Sequence, residues 1–111
     1  MSGLSSKKCV PCEGGAPALK PEAAKNLLAQ LKDWTLNAAT TEIQKTFNFK
    51  NFYQTMAFVN AVAWIANQEN HHPDLEVGYN RCVVHYNTHA VNGLSENDFI
   101  CAAKIDQLQS L

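Results

Sequence analysis

The sequence predicts an α+β fold, in which a four-stranded antiparallel sheet carries three helices on one face. Segments with apolar residues at helical spacing alternate with pairs of segments whose apolar residues recur at every second position, in the order α-β-β-α-β-β-α. Hairpins that are interrupted by helices are typical of an antiparallel sheet covered on one side. With 111 residues, the chain is long enough for one hydrophobic core but not for two.

The first helix and the first hairpin are predicted in the amino-terminal half. Pro21 suits the first turn of a helix, and the segment from Glu22 to Lys32 has apolar residues at helical spacing. A short strand begins at Trp34. Residues 42–49 alternate between polar and apolar side chains, which predicts a half-buried strand. Lys45 is the one polar residue on the apolar side of that alternation.

The second helix is predicted to run from Asn51, a candidate N-cap, to about Glu69 or Asn70. It should end there because Pro73 disfavours helical geometry at the residue before it. Its predicted buried face is a series of apolar residues at helical spacing, formed by Phe52, Met56, Val59, Ala63 and Ala66.

The second hairpin and the last helix complete the fold. Residues 75–77 and 82–88 are predicted to form two strands. Ser95 and Asp98 then have the spacing of a capping box, in which the first and fourth residues of a helix start satisfy each other's backbone amides. The last helix is predicted to bury Phe99, Ala102, Ala103, Ile105 and Leu108.

Residues 1–20 are predicted to form a flexible leader, because glycines and spaced prolines resist regular structure there, and residues 21–111 to form the domain. Cys9 and Cys12 have Cys-x-x-Cys spacing. No second ligand pair lies nearby, since the next cysteine is Cys82, and the pair does not lie between a strand and a helix. A loosely packed tail is the preferred interpretation. A metal site shared with a partner and redox chemistry are the alternatives.

Composition and charge set the expected surroundings. A net charge of −1 gives no general attraction for phosphate backbones, so we expect no direct nucleic-acid binding. No apolar run has the length of a membrane span, and no apolar stretch follows the basic residues near the start. We therefore expect a cytoplasmic protein without membrane contact, whose cysteines stay reduced. Cys82 and Cys101 are expected to be small buried apolar residues.

All four histidines lie within nineteen positions, at 71, 72, 85 and 89. Histidine exchanges protons near neutral pH and also binds metals, so this segment predicts one of these two chemistries. Strand geometry would place His85 and His89 about 13 Å apart along the chain, which disfavours metal binding. Two imidazoles in one cleft can divide the roles of acid and base. Purely structural roles remain open, with His71 at a helix C-terminus and Asp98 as a capping carboxylate.

The residues of this segment resemble the pterin-4a-carbinolamine dehydratase family, which in animals is also known as a dimerisation cofactor of a homeodomain transcription factor. The resemblance covers roughly residues 21–108 and includes the strand-to-helix junction at residues 47–52, followed by Ala57-Phe58. Its characteristic elements are His71-His72-Pro73, Tyr79, Thr88-His89, Gly93-Leu94-Ser95 and Asp98.

The resemblance implies dehydration of 4a-hydroxytetrahydropterin to the quinonoid dihydropterin, which recycles the pterin for aromatic amino-acid hydroxylases. It implies no metal and no redox cofactor, and a homodimer or homotetramer. By position, His71 and His89 would be the acid–base pair, and His72 would bind and orient the pterin in the same catalytic group. Asp98 would hold His89 or bind the substrate while capping its helix. A partner-bound module, as in the animal relatives, is the competing function.

Two features depart from the family pattern. Many members carry a carboxylate four residues before the first histidine, where this chain has Asn67. Glu69 is near that corner but is predicted to point elsewhere on the helix. His85 is not part of the pattern, and we expect it to be an exposed strand residue without a catalytic role.

Overall fold

The computed structural model describes residues 3–11 and 17–108, and it confirms the predicted fold class and order of elements. The four strands form one sheet in the order β1-β2-β4-β3, with all neighbours antiparallel. Within the described ranges, no helix has the length and apolarity needed to cross a bilayer. The elements are α1 (Pro21–Leu28), β1 (Thr35–Leu36), β2 (Ile43–Asn48), α2 (Phe52–Glu69), β3 (Asp74–Val77), β4 (Arg81–Tyr86) and α3 (Glu96–Asp106).

The inner face of the sheet packs against the helices and forms a single core. Ile43 on β2 is the register partner of Tyr86 on β4, and both side chains are fully buried. Burial alternates along β2, as the sequence pattern predicts. The same core contains Phe58 and Val62 of α2 and Phe99 of α3, so one apolar cluster joins the helices to the sheet.

Lys45 lies on the inner side of β2, and its charge is satisfied there. Its ammonium group is 2.9 Å from the carboxylate of Asp106 and donates to the carbonyl of Lys32 at 2.9 Å. Trp34 also donates its indole N–H to Asp106, at 3.0 Å. Asp106, at the end of α3, therefore neutralises the charge of Lys45, the one polar residue on the inner side of β2.

The first helix is shorter than predicted, because α1 ends at Leu28 and not at Lys32. The chain then reverses through Asp33, whose φ of 65° lies in the left-handed region. This reversal places Trp34 in the core with 5% of its surface exposed. Burial of the indole and its hydrogen bond to Asp106 thus override the helical spacing of residues 29–32.

The second helix has its predicted ends but not its predicted buried face. The side chain of Asn51 caps it by accepting from the amide of Gln54 at 2.9 Å, and Asn70 ends it in the left-handed conformation. The predicted face is wrong, since Phe52 and Ala63 are exposed and only Ala66 of that set is buried. The residues that are buried are Thr55, Phe58, Val62, Ile65 and Ala66.

Aromatic packing selects the buried face of α2. The ring of Phe58 contacts those of Phe47 and Phe49, with centroids 4.5 and 5.0 Å apart. The helix has apolar residues on more than one side, so helical spacing alone does not distinguish the faces. The contact between Phe58 and the sheet determines which one turns inward.

Within the predicted flexible leader, the described residues 3–11 are packed and not loose. Leu4 has only 2% of its surface exposed. The amide of Val10 donates to the side-chain oxygen of Asn97 at 3.1 Å, and the side-chain amide of Asn97 donates back to the Val10 carbonyl at 2.6 Å. These contacts attach the segment to α3, which corrects the prediction for these residues. The domain boundary itself stays a prediction.

Candidate active site

The site begins with the start of α3. Ser95 and Asp98 form the predicted capping box, in which the Asp98 carboxylate accepts from the Ser95 amide at 3.0 Å. The same oxygen accepts from the hydroxyl of Thr88 at 2.7 Å. Asp98 has no exposed surface. A buried carboxylate needs several such hydrogen bonds to offset its loss of water, and the residues between β4 and α3 donate them.

The second oxygen of Asp98 contacts His71. Its Oδ1 lies 2.6 Å from Nε2 of the imidazole. His71 directly follows Asn70, the left-handed cap of α2, and this turn directs it toward α3. The ring also stacks on Tyr86, with centroids 5.4 Å apart and planes within 10°. Three elements therefore determine the orientation of this histidine.

The environment of His71 favours its protonated form. Burial alone would lower the pKa of His71, but the hydrogen bond and charge of Asp98, with a further contribution from Cys101, raise that pKa above its ordinary value. Because Nε2 is held by a carboxylate, it carries the proton in the neutral ring. Nδ1 has no hydrogen-bond partner among the described residues. Every buried polar side-chain atom of these residues has a partner, so Nδ1 is not buried and is accessible to solvent.

Three of the predicted site residues surround one pocket of about 510 Å³. His71 lines it from the end of α2, and the exposed His72 follows directly. His89 lines it from the first position of a short 3-10 turn, His89–Val91, and is exposed. The structure thus brings His71, His72 and His89 to a common cavity.

Asp98 does not have the contacts that were predicted for it. It was expected to hold His89 or to bind the substrate, but it binds His71 instead. Both of its oxygens are occupied by protein groups, and no surface is left to contact a ligand. Of the three pocket-lining histidines Asp98 therefore contacts only His71, while its predicted capping role is confirmed.

Several pocket residues were not predicted, and Glu69 is the most informative. It was expected to point away, yet it lines the pocket, with 7% of its side chain exposed. Its carboxylate accepts from the amide of Cys9 at 2.8 Å and lies 3.8 Å from the ammonium of Lys104. The spacing of Glu69 from the buried Ile65 would have revealed it, had the correct face of α2 been chosen. Further lining residues that were not predicted as site residues include Cys9, Val10, Pro11, Asn87, Thr88 and Asn97.

Asn67, where many family members have a carboxylate, is exposed and does not line this pocket. It lines a neighbouring depression together with His72 and Pro73. Glu69 is therefore the carboxylate at this corner of the site.

His85 is set apart from the other three histidines, since it does not line the pocket. It was expected to be exposed, but 16% of its side chain is accessible, because Glu42 lies 2.8 Å from Nδ1 and Glu76 bonds Nε2. Burial alone would lower the pKa of His85, and the two carboxylates raise it. Among residues 3–11 and 17–108, no three His, Cys, Asp or Glu side chains are arranged to hold one metal ion.

Comparisons with known proteins show which family the sequence is similar to. Residues 17–108 match the sequence pattern of the family described as pterin 4 alpha carbinolamine dehydratase. A protein from Nitrosomonas eutropha is 64% identical over 106 residues, which cover 95% of this chain and 92% of the relative. One from Legionella pneumophila is 65% identical over 108 residues, with 96% of each chain covered. Both carry the provisional name pterin-4-alpha-carbinolamine dehydratase.

A solved structure has the same fold as this chain. The Brucella melitensis protein described as a transcriptional coactivator/pterin dehydratase superposes with a TM-score of 0.76 at 30% identity. The match covers 80% of this chain and 95% of that chain.

The pairing of His71 with Asp98 predicts a specific titration behaviour. We expect the pKa of His71 to lie above 6.5 and to fall in Asp98→Asn, because the amide removes the negative charge while preserving the shape of the side chain. The measurement is an NMR titration of the imidazole C–H signals, each assigned by single substitution.

Glu76→Gln is the matched control for that titration. It should lower the pKa of His85 and leave that of His71 unchanged, since Glu76 contacts only the former of the two rings. A His71 pKa that is the same in Asp98→Asn and in the wild type would contradict the assignment.

Proposed function

Because this chain belongs to the pterin 4 alpha carbinolamine dehydratase family, whose enzymes are hydro-lyases, we propose that it converts 4a-hydroxytetrahydropterin to the quinonoid dihydropterin and water by histidine acid–base catalysis. The proposal depends on one observation. His71, His72 and His89 line a single pocket, and the buried carboxylate of Asp98 contacts the imidazole of His71. Two proton transfers are the minimum that the reaction requires, and this arrangement supplies more than one imidazole for them.

His71 is the proposed acid. Asp98 stabilises its protonated form, so the ring carries a transferable proton at neutral pH more often than a free imidazole would. The accessible Nδ1 is the atom from which the proton leaves toward the 4a-hydroxyl. After the transfer the ring is neutral and keeps its remaining proton on Nε2 in contact with Asp98, and it regains a proton at Nδ1 from solvent before the next turnover.

His89 is the proposed base. As the protonated hydroxyl departs as water, the carbon–oxygen bond breaks and the lone pair of the neighbouring ring nitrogen forms the new double bond. That nitrogen loses its proton, which His89 accepts from its exposed position at the rim of the pocket. One proton is given and one is taken, so the reaction balances without an electron donor or acceptor.

His72 is the proposed residue for binding and orienting the pterin. It is exposed, and its Nδ1 lies 3.4 Å from the carbonyl of the following Pro73, so the ring is only loosely held by the protein. Pterins have several hydrogen-bonding groups along one edge, which an imidazole at a pocket rim can contact. Asn87, which lines the same pocket, provides a further amide group for such contacts.

Substitution of the histidines tests the proposal. His71→Ala and His89→Ala should each lower kcat for dehydration by about a hundredfold or more, because each removes one proton-transfer group. His72→Ala should mainly raise KM. The measurement is the enzyme-dependent rate with synthetic 4a-carbinolamine, after subtraction of the rate without enzyme.

His85→Ala is the matched control for these variants, since it removes an imidazole that does not line the pocket. Its kcat should match the wild type, and circular dichroism should show that all four variants are folded. Unchanged rates in His71→Ala and His89→Ala would refute the assigned roles.

The wider setting is part of the same proposal: recycling of pterin for aromatic amino-acid hydroxylases in the cytoplasm, by a homodimer or homotetramer. Exposed aromatic side chains on α2 support the oligomer, because large exposed apolar surfaces mark contact sites. Phe52, Tyr53 and Trp64 are 45%, 84% and 65% exposed.

The oligomer prediction is tested by the mass of the wild-type protein in solution. Light scattering after size exclusion should give two or four times the chain mass of 12.3 kDa. Trp64→Glu should lower that mass by placing a charge in the contact, whereas a wild-type mass of one chain would contradict the prediction.

A further inference from the structure

Two free thiols lie against each other beside the pocket, and the proposed reaction uses neither. The Sγ atoms of Cys9 and Cys101 are 3.5 Å apart. Cys9 belongs to segment 3–11 and lines the pocket, whereas Cys101 lies on α3 without exposed surface. The proximity of the two thiols is a fixed feature of the fold, because contacts with neighbouring residues hold both in place.

Those contacts hold Cys9 in place over α3. Its backbone amide donates to the nearly buried Glu69 at 2.8 Å. The next residue, Val10, exchanges two hydrogen bonds with Asn97, which lies one helical turn before Cys101. The thiols are therefore pre-positioned, and little conformational entropy would be lost on joining them.

We propose that Cys9 and Cys101 form a reversible disulfide when the protein meets a hydroperoxide, and that this cross-link fixes segment 3–11 at the wall of the pocket. A disulfide needs its sulfur atoms at about 2.0 Å, so the two must approach by about 1.5 Å. Cys9 lies outside any helix or strand, and a small shift of its segment suffices.

The surroundings of Cys101 suit the attacking thiolate. The hydrogen bond from the Cys9 thiol, the Tyr86 hydroxyl and the charge of His71 lower the pKa of Cys101. Burial and the charge of Glu69 oppose them, but the net shift of this pKa is downward. Cys82 provides a contrast within the same fold, since burial raises its pKa to about 11. Of these two buried thiols, only Cys101 has surroundings that lower its pKa.

The chemistry balances with hydrogen peroxide as the oxidant. Peroxide enters from the pocket beside Cys9, and the Cys101 thiolate attacks it, because the hydrogen bond to Cys101 raises the pKa of Cys9 and keeps that thiol protonated. The oxygen–oxygen bond breaks, and Cys101 becomes a sulfenate with release of one water. The Cys9 sulfur then attacks that of Cys101, the sulfur–oxygen bond breaks, and the oxygen leaves as a second water with the Cys9 proton and one solvent proton, which replaces the proton that Cys101 lost as a thiolate. Two thiols and one peroxide give one disulfide and two waters, and a dithiol reductant reverses the bond.

Oxidation would have a direct consequence for the pocket wall. Cys9, Val10 and Pro11 line the same cavity as His71. The cross-link would join positions 92 residues apart, which strongly restricts the unfolded chain. The oxidised protein should therefore be more stable, and this wall should be unable to move away from α3.

The test is mass spectrometry of the full chain after treatment with hydrogen peroxide, without reduction. Cleavage after lysine, arginine and glutamate separates Cys82, in peptide 82–96, from Cys101, in peptide 97–104. Cys9 and Cys12 share peptide 9–13, so Cys12→Ser is examined in parallel. We expect peptides 9–13 and 97–104 to be linked in both proteins, and Cys82 to stay free.

A melting measurement gives an independent readout. Oxidation should raise Tm by about 5 °C or more in the wild type and in Cys12→Ser, and dithiothreitol should reverse the shift. Cys9→Ala changes only a half-buried side chain, so it should fold, and it should show neither the link nor the shift.

Three results would overturn the proposal. These are a Cys9–Cys12 disulfide as the main product, over-oxidation of Cys9 or Cys101 without a cross-link, and free thiols at both positions after treatment that leaves the protein folded.

Discussion

The buried carboxylate of Asp98 connects the parts of the chain that make up the site. It accepts hydrogen bonds from the Ser95 amide at the start of α3 and from the Thr88 hydroxyl after β4, and it contacts the imidazole of His71 after α2. Burying a carboxylate without exposed surface costs free energy unless such partners surround it. The packing of these elements therefore depends on the same contacts that orient His71. The same charge favours the proton on His71, which links the architecture directly to acid–base chemistry.

Features with local signals could be predicted from the sequence. The cap at Asn51, the capping box at Ser95 and Asp98, and the alternating burial of β2 each depend on neighbouring residues, and the structure confirms all of them. The buried face of α2 depends on a contact with Phe47 far along the chain, and helical spacing did not reveal it. The position of Glu69 at the pocket was missed for the same reason.

Long-range pairing explains the remaining differences. Asp98 binds a histidine 27 positions away and not the nearer His89, because the packing of α2 against α3 decides which ring reaches it. Val10 and Asn97 are 87 positions apart, so the glycine- and proline-rich composition around Val10 did not indicate that its segment packs on α3. Cys12 lies outside the described residues, and its role stays a prediction. For Asp98 and the histidines, local patterns identified the residues but not which of them pair.

The pH dependence of kcat/KM tests whether Asp98 keeps His71 protonated as the proton donor in the reaction. Activity that depends on protonated His71 must fall as pH rises through the pKa of that ring. In Asp98→Asn the pKa is lower, so the same fall should occur at a lower pH, in protein shown to be folded at each pH. A fall at the same pH in wild type and variant would contradict the account.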